Sequence, residues 1–504
     1  MINLTKRTFL DKVRKGLIPT LYREVDYADP FIVYRSLVKR KHTIFLDSAK
    51  GTPKIARYSF IAADPYLIFR IKDGEIELDE CCSGRRTVSS RTPTERLSEL
   101  LMSYPQMPED GLPPFQGGAV GLLSYDFVRY IEKIPAKSVD DLQIPDAHFL
   151  FFDRLMAFDH VLKKAWIIFA PGARSTGLGY VDIQDIDWGA AYDEAESELA
   201  RSCGFSEIET QASMGDLNRG AHIKISSVSH EMSKDNYMEI VSRAKEYIAA
   251  GDIFQANLSQ RISAVIGDAD PLIIYEVLRK VNPSPFAAYA DFGEYQIASS
   301  SPERLIEMRN SVIETRPIAG TRPRGRDGFE DSMMRSELLL NEKERAEHIM
   351  LIDLERNDLG RVSQYGSVKV DEFMITEDYS HVIHIVSNVL GIARQGVSCL
   401  DVIKAVFPGG TITGVPKVRC MEIIDELEPV RRGPYTGSLG YFGFSGNMDF
   451  NIIIRTFVIK GGCVYIQVGA GIVADSDPER EYFETLKKAE ALLKTLGEFV
   501  IQPV

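Results

Sequence analysis

In the second half of this chain several clusters hold polar residues where a folded core would hold apolar ones. The stretch from Phe407 to Lys417, FPGGTITGVPK, puts three glycines, two prolines, two threonines and one lysine into eleven residues. Glycines let backbone N–H groups approach a ligand, and threonine hydroxyls with a lysine suit a carboxylate-like anion. An ordinary Gly/Pro turn is the competing reading. SPER, Ser301 to Arg304, sets the carboxylate of Glu303 directly after an expected strand end. RPIAGTRPR, Arg316 to Arg324, gathers three arginines around Gly320 and Thr321, a second anion-sized niche.

Carboxylates recur at helical spacing. Glu344, Glu347 and Asp353 share an expected helix with His348, and Glu481, Glu484 and Lys488 stand at i, i+3 and i+7 near the C-terminus. Two carboxylates from separate helices are what a Mg²⁺ site needs, with waters and substrate completing the shell. A solvated, salt-bridged face gives the same spacing. Arg455 lies in the apolar run NIIIRTFVI. Burying it unpaired is costly, so it pairs with a core carboxylate or takes a substrate carboxylate bidentately. Gly469-Ala470-Gly471 offers bare backbone after a strand, and His384 in HVIHIVS reads as a core histidine or a site residue.

These residues must be positioned by a chain of 504 residues, long enough for two core-forming units. A net charge of −13 argues against nonspecific binding to nucleic acid or an anionic membrane. The six cysteines are scattered without C-x-x-C spacing and read as reduced thiols. No apolar h-region or long apolar run occurs, so a cytoplasmic protein is expected. No glycine-rich nucleotide motif follows a strand.

Asp73-Gly74 predicts a hairpin, and short apolar runs make the first half antiparallel β with helices. Loss of periodicity predicts a linker over 206–228 between an N-terminal unit, 1–205, and a second unit, 229–504. Ser233 is the expected N-cap of a helix stopped by Gly251. Beyond it the expected strands include 254–262, 286–292, 295–299, 312–315, 438–444, 449–459 and 463–468, and the expected helices 270–280, 331–353, 399–406, 417–427 and 479–496. Hairpin-like links among strands and helices give an α+β class, not a doubly wound parallel sheet.

The ordered set SPERL, ETRPIAGTRPRG, ERAEHIMLIDLERNDLGRV, FPGGTITGVPK, RRGPYTGSLGY, NIIIRT and QVGAGIVADSDPEREYFET resembles the chorismate-utilising enzymes, strongly over about 230–496. FLDSA, RYSFIAADP and FQGGAVG extend the likeness weakly into the first half. The resemblance implies layered antiparallel β-sheets flanked by helices. It implies Mg²⁺ on Glu347 and Glu484, holding chorismate's ring carboxylate. Substrate contacts fall to Gly320, Thr321, Thr413, Tyr435, Arg455 and the Gly469, Ala470, Gly471 backbone, and Glu303, His384 and Lys488 stand near the reacting ring.

Water-using members of this family carry a lysine base where this chain has Gln255. Water must be deprotonated to attack and neutral ammonia need not be, so Gln255 favours amination. The ammonia would come from a separate glutamine amidotransferase subunit, since nothing here resembles a glutaminase. Asn257, Thr411-Ile412-Thr413 and YTGSLGY resemble members that aminate C4, giving 4-amino-4-deoxychorismate. Ala319, where many of those carry lysine, fits the alternative, amination at C2 to anthranilate. Leu46-Asp47-Ser48 and Pro285-Phe286-Ala287 are altered from the family's tryptophan-binding stretches, which argues against feedback inhibition by tryptophan and leaves a tryptophan bound for structure as an alternative. Ser48, Pro285 and Phe286 mark the candidate tryptophan pocket.

Overall fold

Along Ala147–Phe152, Phe149 and Phe151 enter one buried cluster while Leu150 and Phe152 enter another. Strand side chains alternate faces, so a run that is apolar at every position must be covered on both sides. The computed structural model describes residues 2–37, 40–81, 83–89, 92–176, 182–201, 224–225, 227–378, 382–497 and 500–501. Within them two 12-stranded antiparallel sheets stack face to face. Ile44, Phe60, Ile68, Val120, Leu150, Tyr295, Leu439 and Tyr441 form the core between the sheets. Helices cover the two outer faces, with Ile274, Leu278 and Leu492 on one and Leu97, Ile403 and Leu427 on the other. This is the expected α+β layering.

Each sheet has second-half strands at one end and first-half strands at the other. Phe286–Asp291 pairs with Ile44–Asp47, and Ser438–Gly443 with Gly118–Leu123. Of the expected linker only 224–225 and 227–228 fall within the described residues; the rest lies outside them. Among the described residues no helix is long and apolar enough to cross a membrane.

Ser233 caps Lys234–Ala249 by accepting from Asn236 N at 3.2 Å, and Asp73 and Gly74 take the positive φ of the expected hairpin turn. The helix expected over 331–353 is two helices, Gly328–Leu340 and Glu342–Gly360. Asn341 breaks it, because its side chain accepts from Glu344 N at 3.0 Å and starts the second helix as an N-cap. The strand expected over 449–459 is also two, Met448–Asn451 in one sheet and Thr456–Lys460 in the other. Arg455 is at the crossing, with φ of 51°, and so is not mid-strand as the apolar run suggests.

A buried ion pair fixes the elements around this crossing. Glu428 follows helix Lys417–Leu427 and is gripped by Arg432 Nε and Nη2 at 2.9 and 2.7 Å. Arg432 also donates to the carbonyls of Asn257 and Ile412 and to Thr436 Oγ1, so all five of its N–H groups are used. Glu428 Oε1 accepts from Ser259 N and Oγ at 2.8 and 2.9 Å. Removing one partner strands a buried charge. Arg432→Met should therefore cost about 3–5 kcal/mol, read as the urea midpoint; a loss under about 1 kcal/mol, the exposed-pair range, would contradict this role.

Candidate functional site

The floor of the site is two strands. Gln255–Val265 runs antiparallel to Cys463–Ile472, with Asn257 opposite Gly471 and Ser259 opposite Gly469. A Cβ on Gly469 would lie 2.5 Å from Asn257 Oδ1 and 2.9 Å from Tyr435 Oη; one on Gly471 would lie 2.6 Å from Gln255 Nε2. Side chains from the facing strand thus lie directly on bare backbone, and any larger residue than glycine would displace them. Ala470 between them is buried on the opposite face.

Helices bring the charged groups to this floor. Gln255 Nε2 donates to Glu347 Oε1 at 3.0 Å, across from helix Glu342–Gly360. Lys488 Nζ, on helix Pro478–Gly497, donates to Gly469 O at 3.0 Å and pairs with Glu484 at 2.9 Å. The terminal helix therefore carries the i,i+4 pair that the solvated-face reading predicts, with Glu484 exposed. Among the described residues no three acidic, histidine or cysteine side chains cluster as a metal site. Glu347 and Glu484 are hard oxygen donors, which fits a Mg²⁺ held by one or two carboxylates and otherwise by water and substrate.

Glu303 occupies the short link between strands Tyr295–Ser301 and Arg304–Arg309, as its place after a strand end predicts. It is buried and accepts from Thr411 Oγ1 at 2.8 Å. Burial pushes its carboxyl up to about 7, against the opposing pull of Thr411, Arg455 and Lys488. His384, in strand Val382–Ile392, is buried too. Its Nδ1 lies 3.2 Å from Gly320 O and 3.0 Å from Thr321 Oγ1. A carbonyl only accepts, so Nδ1 carries the proton. Desolvation, and then Arg455, hold this imidazole down at about 4, so it is neutral at physiological pH. Arg455 acts on both groups, so its charge lies near each of them.

Other expected residues are engaged elsewhere. Thr413 turns its hydroxyl to Gly409 O at 2.9 Å, closing its own turn. Lys417 Nζ donates to Asp358 at 2.6 Å and Val406 O at 3.0 Å, away from any anion cradle. What FPGGTITGVPK gives the site is Thr411, bonded to the acid. The three arginines of RPIAGTRPR pair with carboxylates: Arg316 with Glu372 and Glu377, Arg322 with Glu337 and Glu344, Arg324 with Asp331. Gly320 has φ of 60°, and a Cβ there would lie 2.8 Å from Glu344 Oε2. Sequence reasoning missed Glu355, buried near Gly410 and pushed up to about 8 by desolvation and by Asp358. Its only signal was a glutamate on the buried side of a helix ending in ERND.

Ser48, Pro285 and Phe286 share a cavity of about 560 Å³ between the sheets, with Lys54, Arg304 and Tyr441. Asp47 on its wall is buried and bonded to Tyr275 Oη at 3.0 Å and Arg279 Nε at 2.5 Å. Ser48 Oγ donates to Tyr58 O at 2.6 Å.

Residues 41–494 match the family of chorismate binding enzymes. The chain is 43% identical over 459 residues to aminodeoxychorismate synthase component 1 of Bacillus subtilis (strain 168), covering 91% of this chain and 92% of that protein. It is 40% identical over 502 residues to anthranilate synthase component 1 of Acetivibrio thermocellus, covering 96% of each. The crystal structure of anthranilate synthase component I from Streptococcus pneumoniae TIGR4 superposes with a TM-score of 0.73 at 32% identity, covering 93% of this chain and 98% of that one. With this sequence match and this shared fold, the chain is an enzyme that belongs to the chorismate binding family.

Proposed function

We propose that this enzyme aminates chorismate at C4 with ammonia supplied by a separate glutamine amidotransferase subunit, giving 4-amino-4-deoxychorismate. The observation that carries amination is Gln255. An amide whose Nε2 is held by Glu347 cannot deprotonate water, which favours a nucleophile that attacks without first losing a proton, as neutral ammonia does. As the C4–N bond forms, the C4–O bond breaks and the hydroxyl leaves as water with one proton from an acid, which is restored by the proton that the new C–N nitrogen loses. Glu303, buried and pushed up to about 7, is the group suited to give a proton to that hydroxyl. Neutral His384 would hold and orient the ring by its hydrogen bonds, and Arg455 would face a substrate carboxylate. Glu347 and Glu484 would hold Mg²⁺, which when bound supplies charge to fix the ring carboxylate and ease loss of the hydroxyl.

The likeness to aminodeoxychorismate synthase component 1 supports C4. Ala319, buried opposite Ile385, has no amine for a covalent adduct, so the C4 route here is a direct displacement. The same alanine favours the second reading, amination at C2 with loss of pyruvate to anthranilate, as does the likeness to anthranilate synthase component 1. The cavity holding Ser48, Pro285 and Phe286 has the volume for an amino acid such as tryptophan.

The purified chain given chorismate, Mg²⁺ and ¹⁵N-ammonium at alkaline pH should form a ¹⁵N-labelled aminodeoxychorismate that a matching lyase converts to 4-aminobenzoate. Fluorescent anthranilate instead would select the second reading. Glu347→Gln should abolish turnover with the urea midpoint unchanged, and full activity in that variant would refute the metal assignment.

Glu303 also ties activity to stability. Its folded value near 7 lies above the unfolded 4.5, so its contribution is full below 4.5 and is lost as pH rises through 7. Glu303→Gln removes the ionisation. It should lower kcat/KM by at least about a hundredfold yet raise stability at pH 8 by up to about 3 kcal/mol, with the gain vanishing below pH about 4.5. Parallel thermal melts at the two pH values decide it; equal gains at both would show that Glu303 is not held neutral.

A further inference from the structure

Two buried side-chain oxygens at the floor of the site have no hydrogen-bond partner: Gln255 Oε1 and Asn257 Oδ1. Their residues are only 7% and 9% exposed. They stand two apart on one strand and cover Gly471 and Gly469, which share a face of the neighbouring strand. Both side chains therefore project to the same side. The orientation of the Gln255 amide is fixed, because Glu347 Oε1 only accepts and must face the NH₂ end. Its carbonyl oxygen is left pointing away from Glu347.

Leaving a buried acceptor unsatisfied is costly, so such pairs mark a place for a donor. Chorismate's carboxylates are acceptors and cannot fill it. Arg455 and Lys488, the cations of the site, act on Glu303, and Lys488 is bonded to Gly469 O. A small ligand with several N–H groups is one that can meet both acceptors at once. We propose that Gln255 Oε1 and Asn257 Oδ1 form the docking point of the incoming ammonia, each accepting one N–H while the lone pair is left for attack. This rests on the amination proposed above and makes Asn257 a substrate-contacting residue. Two acceptors distinguish ammonia from water by count: ammonia donates to both and donates a third time, whereas water that satisfies both has no proton left to give up to a base.

The test is steady-state kinetics of the purified chain with Mg²⁺, varying ammonium and chorismate separately. Asn257→Ala removes one acceptor and should raise the KM for ammonium about tenfold, with the KM for chorismate changed less than about threefold. Asn257→Asp keeps an oxygen at that point and should hold the KM for ammonium within about threefold of wild type, whatever its kcat. Three results overturn the inference alone: an Ala variant whose two KM values stay unchanged, a rise confined to chorismate, or an Asp variant as impaired for ammonium as the Ala variant. Wild-type protein that takes no ¹⁵N from ammonium into product overturns the amination reading and this inference with it.

Discussion

The site depends on a charge pair that it does not contain. Arg432 and Glu428 are almost wholly buried, and two charges so placed are tolerable only if every hydrogen-bonding group on them is met. Meeting them forces specific neighbours together: Asn257 and Ser259 on one strand, Ile412 on the glycine-rich turn, and Thr436 on the loop that presents Tyr435. The guanidinium also stands 4.9 Å over the ring of Tyr125, reaching the first-half side of the molecule. A hydrophobic plug of equal volume would fill the space without dictating which backbone carbonyl faces which strand. The ion pair gives the floor a defined register, and the floor then holds Gln255, Asn257 and the two glycines at fixed separations.

Rigidity of that kind lets the neighbouring groups remain unfavourably placed. Glu303 is buried with one hydroxyl donor, which leaves desolvation dominant and its proton retained to about 7. Glu355 lies beyond Gly410 and is held higher still. His384 is kept neutral by the same desolvation. Each of these states costs folding free energy, and none would persist if the backbone could relax toward water. The chain thus separates support, where every donor is matched, from chemistry, where matching is left incomplete.

Much of this was legible in the sequence for identifiable reasons. Strands buried on both faces read as unbroken apolar runs, and helices such as Cys399–Val406 and Lys417–Leu427 kept their expected bounds because Ser398 and Pro416 mark their starts. Glu303 and Glu347 stood out as carboxylates in polar clusters, and Gln255 only through the family resemblance. Other features needed tertiary information. Lys369–Asp378 alternates exposed and half-buried residues at an outer position and escaped notice as a strand. NIIIRTFVI reads as one strand because its apolar content is continuous, yet it serves two sheets, and a positive φ at arginine has no local signal. The arginines of RPIAGTRPR invited an anion-binding reading, but their carboxylate partners lie on separate elements. The pairing of first-half with second-half strands is likewise a contact between segments far apart in sequence.

Donor and acceptor counting also orients the reactants. Around Glu303 the unsubstituted chemistry is cationic, through Arg455 and Lys488, and suits a dianion. Around Gln255 and Asn257 it is acceptor chemistry, and repels one. Under the proposed function an anionic ring would turn its carboxylates toward the first side. The second side is where the proposed ammonia would dock, and Glu347, bonded to Gln255, lies beside it. A lysine at position 255 would erase that division, because its ammonium would pair with Glu347 and extend the cationic side across the floor. The amide keeps the two sides distinct, because it meets Glu347 without adding a charge to the floor.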